Sequence, residues 1–232
     1  MSKKSYKAVF FDLDHTLWDY DRNAKITLKL LYEKYLEGKN GMNSDVFLEE
    51  FIRINDIVWE KFDRGEISRE DIRVIRFIEL LELFGINDQS LAETISHEYM
   101  KLGPFQSHLM PNARELLEML GEKYSLFVLT NGFEDIQQQK LLSAGIAGYF
   151  KEIITSERVG NKKPAPDIFE YAVKAAGCLK EETIMVGDNL LTDMAGSIGY
   201  GIDCVFLNTK NKVHQVPVTH EIKDLGELFG IL

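Results

Sequence analysis

The segment most informative about the architecture is residues 6–17, which run YKAVFFDLDHTL. Its first half is a short apolar run, rich in aromatic and β-branched residues, and it stops abruptly at Asp12. This pattern predicts a buried β-strand over residues 6–11. Two carboxylates, Asp12 and Asp14, therefore follow directly after the carboxyl end of a predicted strand.

From residue 111 onward, apolar runs alternate with helical patterns. Further strands are predicted over residues 125–130, 152–155, 183–187 and 202–207, and helices over residues 111–121, 134–144, 167–176 and 191–198. Such alternation predicts a parallel sheet with helices on both faces. With the strand at residues 6–11 added, the predicted fold class is α/β, a three-layer Rossmann-like domain.

The segment between residues 19 and 105 has a different pattern of apolar residues. Residues 19–105 predict four amphipathic helices, because apolar residues recur at spacings of three and four. We expect a helical bundle inserted after the first strand. The predicted domains are therefore an α/β core of residues 1–18 and 106–232 and a helical domain of residues 19–105.

Composition limits the classes of ligand. The chain has 232 residues, with 27 basic and 37 acidic side chains and a formal net charge of −10. This balance argues against a nucleic-acid polymer as partner, because backbone binding needs a broad basic face. It leaves small phosphorylated metabolites open. The sequence contains neither a signal-peptide core nor a membrane-length apolar run, which predicts a cytoplasmic protein without a membrane partner.

Polar residues follow the predicted strands in a way that suggests one site. Ligands of open α/β sheets bind at the carboxyl ends of the strands. The polar groups that follow these ends are Asp12, Asp14, Thr130, Asn131, Lys163, Asp188 and Asp193. We expect them to lie at one edge of the sheet.

These residue types fit phosphoryl chemistry. Several converging carboxylates repel one another unless a cation lies among them. Mg²⁺ suits hard oxygen ligands and bound phosphate. A lysine and short hydroxyl or amide donors can hold phosphate oxygens. Of two nearby carboxylates, one can attack phosphorus while the other protonates the leaving oxygen and later deprotonates water.

Four ordered motifs resemble those of the haloacid dehalogenase superfamily. Asp12-Leu13-Asp14-His15-Thr16 matches its DxDxT signature. Thr130-Asn131, Lys163-Pro164 and Gly187-Asp188 with Asp193 resemble the second, third and fourth motifs, in the family's order. The helical insertion resembles the cap that the family places between its first and second motifs.

The resemblance implies a role for each matching carboxylate. Asp12 would be the nucleophile that forms a phospho-aspartyl intermediate, and Asp14 the general acid and base. Mg²⁺ would be held by the side chains of Asp12 and Asp188 and by the backbone carbonyl of Asp14. Asp193 would lie outside the metal ligands and orient a metal-bound water or the lysine.

The resemblance also implies a phosphate-binding set. Thr130, the backbone that follows it at Asn131, and Lys163 would contact the phosphate. Lys162 is adjacent, but Lys163 precedes the proline as the family's lysine does.

Particular residues favour or disfavour several alternative functions. Dehalogenases lack the second aspartate of the first motif, so Asp14 favours phosphoryl chemistry. Phosphomutases usually carry a basic loop after the first motif, whereas residues 18–23 here are acidic and aromatic, WDYDRN. A binding protein that has kept the fold and lost turnover is disfavoured by the complete acidic set.

A finer resemblance concerns the substrate. Trp18-Asp19 and residues 219–222, THEI, resemble the branch of pyrimidine 5'-nucleotidases that remove non-standard nucleotides. The aromatic residues Trp18, Tyr20, Trp59 and Phe62 could stack on a base, although core packing is the more ordinary role of Trp59 and Phe62. Phosphatases of sugar phosphates or phosphoglycolate remain alternatives. The sequence gives neither the residues that set specificity nor the oligomeric state.

Overall fold

The computed structural model describes residues 5–232 and contains a six-stranded sheet in which every pair of neighbouring strands is parallel. The strands are β1 (Ala8–Phe11), β2 (Ser125–Thr130), β3 (Phe150–Thr155), β4 (Thr183–Gly187), β5 (Asp203–Leu207) and β6 (His220–Ile222), in the order β3-β2-β1-β4-β5-β6. The α-helices are α1 (Tyr20–Tyr35), α2 (Ser44–Asp63), α3 (Arg69–Leu83), α4 (Gln89–Leu102), α5 (Ala113–Gly121), α6 (Glu134–Ser143), α7 (Ser156–Val159), α8 (Pro166–Ala176) and α9 (Ala195–Tyr200). The predicted α/β fold class with a parallel sheet is confirmed.

Strand β1 is the centre of the sheet. All four of its residues are fully buried, as expected for a parallel strand covered by helices on both faces. It pairs with β2 on one side and β4 on the other, with Phe11 opposite Val128 and Val186. The strand order reverses at this point, which is where open α/β sheets leave a crevice beyond their carboxyl ends. The backbone N–H of Asp12 donates to the carbonyl of Val186 at 2.9 Å, so the chain leaves β1 at that edge.

The chain divides into two compact units, one of residues 1–19 and 107–232 and the other of residues 20–106. In the second unit α1 packs against α2 and α4, and α3 packs against α2 and α4. Its core includes the mutually packed rings of Phe51, Phe77 and Tyr99, whose centroids lie 5.2–5.4 Å apart. Asn43 caps α2 and Ser68 caps α3, which explains where these helices begin. Among residues 5–232, no helix combines the length and the apolar character needed to cross a membrane.

The end of the chain differs from the sequence prediction in two places. The segment predicted as one helix over residues 191–198 begins as a π-helical turn, Leu190–Met194, and continues as α9. The side chain of Asn189 accepts from the N–H groups of Leu191 and Thr192, and this cap fixes where the turn begins. Strand β6 was not predicted, because three residues are too few for periodicity to register.

Candidate active site

Lys163 is the buried centre of the site. Its side chain is 1% exposed, and its ammonium donates to Asp12 Oδ1 at 2.7 Å, Asp193 Oδ1 at 2.6 Å and the carbonyl of Leu129 at 2.7 Å. A lysine ammonium has three donor hydrogens, so these three contacts use all of them. The lysine thereby links the end of β1, the end of β2 and the turn after β4.

Asn131 positions the backbone of Lys163. The Asn131 Nδ2 group donates to the carbonyl of Lys163 at 3.0 Å, and the N–H of Lys163 donates to Asn131 Oδ1 at 2.8 Å. Two reciprocal bonds hold one residue much as a pair of strands would. The side chain of Asn131, directly after Thr130, therefore fixes the backbone of the loop that carries Lys163.

Three carboxylates meet beside this lysine. Asp12, Asp188 and Asp193, named here the acidic cluster, place one carboxylate oxygen each within 4.8 Å of the others. Asp193 is held from two sides, because its Oδ1 accepts from Lys163 and its Oδ2 accepts from the N–H of Asn189 at 3.1 Å. Gly187 leaves the space for this carboxylate, since a Cβ there would lie 2.2 Å from Asp193 Oδ2.

The acidic cluster is electrostatically unfavourable without further positive charge. Burial raises the pKa of Asp12 to about 8, with the charges of Asp193 and Asp188 adding to the effect and Lys163 opposing it. Burial, together with Asp193, raises the pKa of Asp188 to about 7. Burial lowers the pKa of Lys163, but the charges of Asp12 and Asp193 outweigh it and leave that pKa above its ordinary value. Asp12 and Asp193 therefore share the ammonium of Lys163, while the charges of Lys212, Lys163 and Lys210 oppose the rise in the pKa of Asp188.

These properties fit a divalent cation. The donor set consists of carboxylate oxygens, the ligands that Mg²⁺ prefers, and no thiolate or imidazole belongs to the cluster. Added positive charge would lower the raised pKa values of Asp12 and Asp188. The Asp12 side chain is 13% exposed, whereas Asp193 is 1% exposed, so Asp12 is the more accessible of these two.

Asp14 has partners that the sequence analysis missed. Lys140 Nζ donates to its Oδ1 at 2.6 Å and to its Oδ2 at 2.8 Å, and Gln137 Nε2 donates to Oδ2 at 2.9 Å. Both donors lie on α6 and are buried. Gln137 is 0% exposed and Lys140 is 6% exposed. The available signal was their i, i+3 spacing on the helix that follows Thr130, which places both on one face.

Thr130 lies beside the same group. Its Oγ1 accepts from Gln137 Nε2 at 2.9 Å and from the N–H of Gly132 at 3.0 Å. The structure thus brings the predicted residues together in two sets. Asp12, Lys163, Asp188 and Asp193 form one, and Asp14 is joined to Thr130 through Gln137.

Three clustered aspartates at the carboxyl edge of a parallel sheet, with a fourth, Asp14, two residues after Asp12, define an α/β protein with an acidic site. The comparisons with known proteins give the family. Residues 6–199 match the model of the haloacid dehalogenase (HAD)-like hydrolases. The chain therefore belongs to the haloacid dehalogenase-like hydrolase family.

Relatives resemble the chain over nearly its whole length. YfnB of Bacillus subtilis, described as an HAD-hydrolase, is 30% identical over 99% of this chain and 96% of its own. The crystal structure of YfnB bound to magnesium has a TM-score of 0.88, covering 99% of both chains at 28% identity. The pyrimidine 5'-nucleotidase PynA of Streptococcus pneumoniae is 29% identical over 98% of this chain and 95% of its own. A glyceraldehyde 3-phosphate phosphatase of Methanothermobacter thermautotrophicus is 29% identical over 88% of this chain and 86% of its own.

Proposed function

We propose that the chain is a magnesium-dependent phosphomonoester hydrolase that acts through a phospho-aspartyl intermediate on Asp12, with nucleoside 5'-monophosphates as substrates. One observation carries the reaction type. Asp12 is held by Lys163 at 2.7 Å, and burial raises its pKa to about 8, while a second aspartate, Asp14, is held separately by Lys140 and Gln137. Two carboxylates with different partners suit two different roles.

The chemistry divides between these two aspartates. A carboxylate oxygen of Asp12 attacks phosphorus, and the ester P–O bond breaks with its electron pair moving to the leaving oxygen. Asp14 gives that oxygen its proton, so the alcohol departs and the phosphoryl group stays on Asp12. Asp14 then takes a proton from water, whose oxygen attacks phosphorus, and Asp12 is released with inorganic phosphate.

The residues around these aspartates supply position and charge. When bound, Mg²⁺ supplies positive charge that offsets the phosphoryl oxygens and the acidic cluster. The side chains of Asp12 and Asp188 and the backbone carbonyl of Asp14 would hold it. Asp193 keeps Lys163 in place through their 2.6 Å contact. The Thr130 hydroxyl contacts the phosphate, because its accepted bonds leave its own proton available for donation.

The substrate class rests on relatives and on the two resemblances in the sequence. PynA acts, by its name, on pyrimidine 5'-nucleotides, and its similarity extends over 98% of this chain. Of the aromatic candidates for stacking on a base, Trp18 and Tyr20 are buried, at 2% and 8% exposure, which leaves Trp59 and Phe62. These two rings are half-buried and meet edge to face at 5.5 Å. The proposal includes the predicted role of residues 19–105 as a cap.

A second substrate class is favoured by the relative named as a glyceraldehyde 3-phosphate phosphatase, which has the same 29% identity as PynA over 88% rather than 98% of this chain. A panel of nucleoside monophosphates, sugar phosphates and phosphoglycolate separates the two, compared by kcat/KM. We expect the highest kcat/KM for pyrimidine nucleoside monophosphates. A clear preference for sugar phosphates would replace the substrate class and leave the chemistry intact.

The reaction type is tested by turnover of 4-nitrophenyl phosphate with and without Mg²⁺, and by Asp12→Asn. We expect magnesium-dependent turnover in the parent chain and none in Asp12→Asn, with the fold retained by circular dichroism. No turnover by the parent chain despite bound Mg²⁺ would favour a binding protein. A fully active Asp12→Asn would refute the nucleophile assignment.

A further inference from the structure

Helix α6 carries two buried polar side chains, Gln137 and Lys140, on one face. They are 0% and 6% exposed, whereas their neighbour Gln138 is exposed. Burying an amide or an ammonium group costs free energy unless the group is hydrogen-bonded or paired with an opposite charge. Both side chains are directed to the same group, the carboxylate of Asp14.

Their donors are distributed unequally between the two oxygens of Asp14. Oδ2 accepts two hydrogen bonds, from Lys140 at 2.8 Å and from Gln137 at 2.9 Å. Within residues 5–232, Oδ1 accepts one hydrogen bond, from Lys140 at 2.6 Å. Each carboxylate oxygen has about two acceptor positions. The pair therefore occupies Oδ2 and leaves Oδ1 with a lone pair for proton exchange.

Gln137 also fixes the direction of the Thr130 hydroxyl. Thr130 Oγ1 accepts from Gln137 Nε2 at 2.9 Å and from the N–H of Gly132 at 3.0 Å, so both of its acceptor positions are filled. One amide nitrogen thereby sets the spacing between Asp14 and Thr130. The other end of the amide, Oε1, is buried without a hydrogen-bond partner among residues 5–232. The donor end of Gln137 thus determines how this side chain is placed.

Lys140 is held against movement by an aromatic ring. Its ammonium lies 4.5 Å from the centroid of Trp18, which is 2% exposed. The chain turns back after Asp14 to bring Trp18 there, with His15 in the left-handed region at φ 64° and its N–H donating to the carbonyl of Trp18 at 3.0 Å. The ammonium is therefore fixed between the ring and Asp14.

We propose that Gln137 and Lys140 are positioning residues that hold Asp14 with Oδ1 available to the leaving oxygen and Thr130 at a fixed distance beside it. The inference deepens the proposed function and rests on the role of Asp14 as acid and base. It predicts a particular failure when either residue is lost. Protonation of the leaving oxygen weakens, while attack by Asp12 is unchanged.

The test compares esters that differ in their need for that proton. Phenyl phosphate and 4-nitrophenyl phosphate are close in size, but 4-nitrophenolate leaves readily without protonation. For Gln137→Leu and Lys140→Met we expect kcat/KM, which reports the steps up to transfer of the phosphoryl group to Asp12, to fall about tenfold or more with phenyl phosphate beyond any fall with 4-nitrophenyl phosphate. Gln138→Leu on the same helix and Lys151→Met, both exposed, serve as matched controls and should behave like the parent chain.

Conservative variants keep the test valid if the apolar ones fold poorly. Gln137→Asn keeps the amide but shortens its reach, and should show the same ester dependence. Lys140→Arg keeps the charge and should recover part of the lost rate. Equal losses with both esters, or no loss, would overturn the inference while Asp12→Asn still reports on the proposed function. A parent chain that hydrolyses neither ester would overturn both.

Discussion

Replacing Lys163 by methionine should test the electrostatic structure of the site most directly. Methionine fills the space of the aliphatic stem but removes the ammonium and its three hydrogen bonds. Asp12 and Asp193 would then face each other, buried, without their shared cation. Removing one partner of a buried ion pair costs about 3–5 kcal/mol, because the other charge is left uncompensated.

The measured quantity is the stability of the chain near pH 8 in the absence of Mg²⁺. For a domain of this size each kcal/mol moves the thermal midpoint by about 2–4 °C, so we expect Lys163→Met to lower it by about 6–20 °C. The loss should shrink at lower pH, because protons on the two carboxylates remove the repulsion. The substitution Lys151→Met at an exposed position is the control, and it should cost less than about 1 kcal/mol, as is usual at the surface.

A double-mutant cycle isolates the pair. Adding Asp193→Asn to Lys163→Met removes one of the uncompensated carboxylates, so the two effects should be less than additive by about 0.5–3 kcal/mol. Additive losses, or a Lys163→Met chain within about 1 kcal/mol of the parent, would refute the reasoning that Lys163 compensates the acidic cluster.

Three further outcomes follow from the geometry. Gly132→Ala should lower kcat by about tenfold, as steady-state kinetics will show, because its Cβ would lie 2.0 Å from Gln137 Nε2 and displace it; an unchanged kcat would contradict this. Folding raises the pKa of Asp12 to about 8 and that of Asp188 to about 7. The folded state therefore binds protons that the unfolded chain releases, and the free energy of unfolding falls as pH rises from about 4 to 8. Mg²⁺ should therefore raise the thermal midpoint more at about pH 8.5 than at about pH 5.5, and equal shifts would contradict the prediction. Asn55→Leu should destabilise the chain by about 1–3 kcal/mol in urea unfolding, because Asn55 Oδ1 accepts at 2.8 Å from the buried guanidinium of Arg76; an effect within about 0.5 kcal/mol would contradict it.

Sequence reasoning was most successful where one signal sufficed. The strand β1 is short, apolar and ended by Asp12, so its local pattern was enough to predict it. The ends of parallel strands share an edge, so topology alone brought Asp12 near Asp188. These features depend on local pattern or on strand order, both of which a sequence carries.

The contacts that were missed depend on side-chain direction in three dimensions. The i, i+3 spacing of Gln137 and Lys140 places both on one face of their helix, but the sequence does not show that this face is buried. Their burial follows from the packing of α6 and from the turn that brings Trp18 to Lys140. Likewise the prediction for Asn131 concerned its backbone, and the sequence did not indicate that its side chain is bonded to the backbone of Lys163.

The two buried lysines of the site are already paired with aspartates from distant segments of the chain. The Lys163 ammonium donates its three hydrogen bonds to Asp12, Asp193 and a backbone carbonyl, so its single charge is already divided between two carboxylates. Lys140 is in turn engaged by Asp14. The charge of each ammonium is therefore already offset by carboxylates before a phosphate dianion binds. A phosphate entering beside Asp12 therefore needs positive charge beyond that of these two lysines, and the raised pKa values of Asp12 and Asp188 favour a cation next to them. In the proposed reaction the same cation would relieve the cluster and receive the substrate, so the instability of the acidic cluster and its capacity for catalysis have one physical origin.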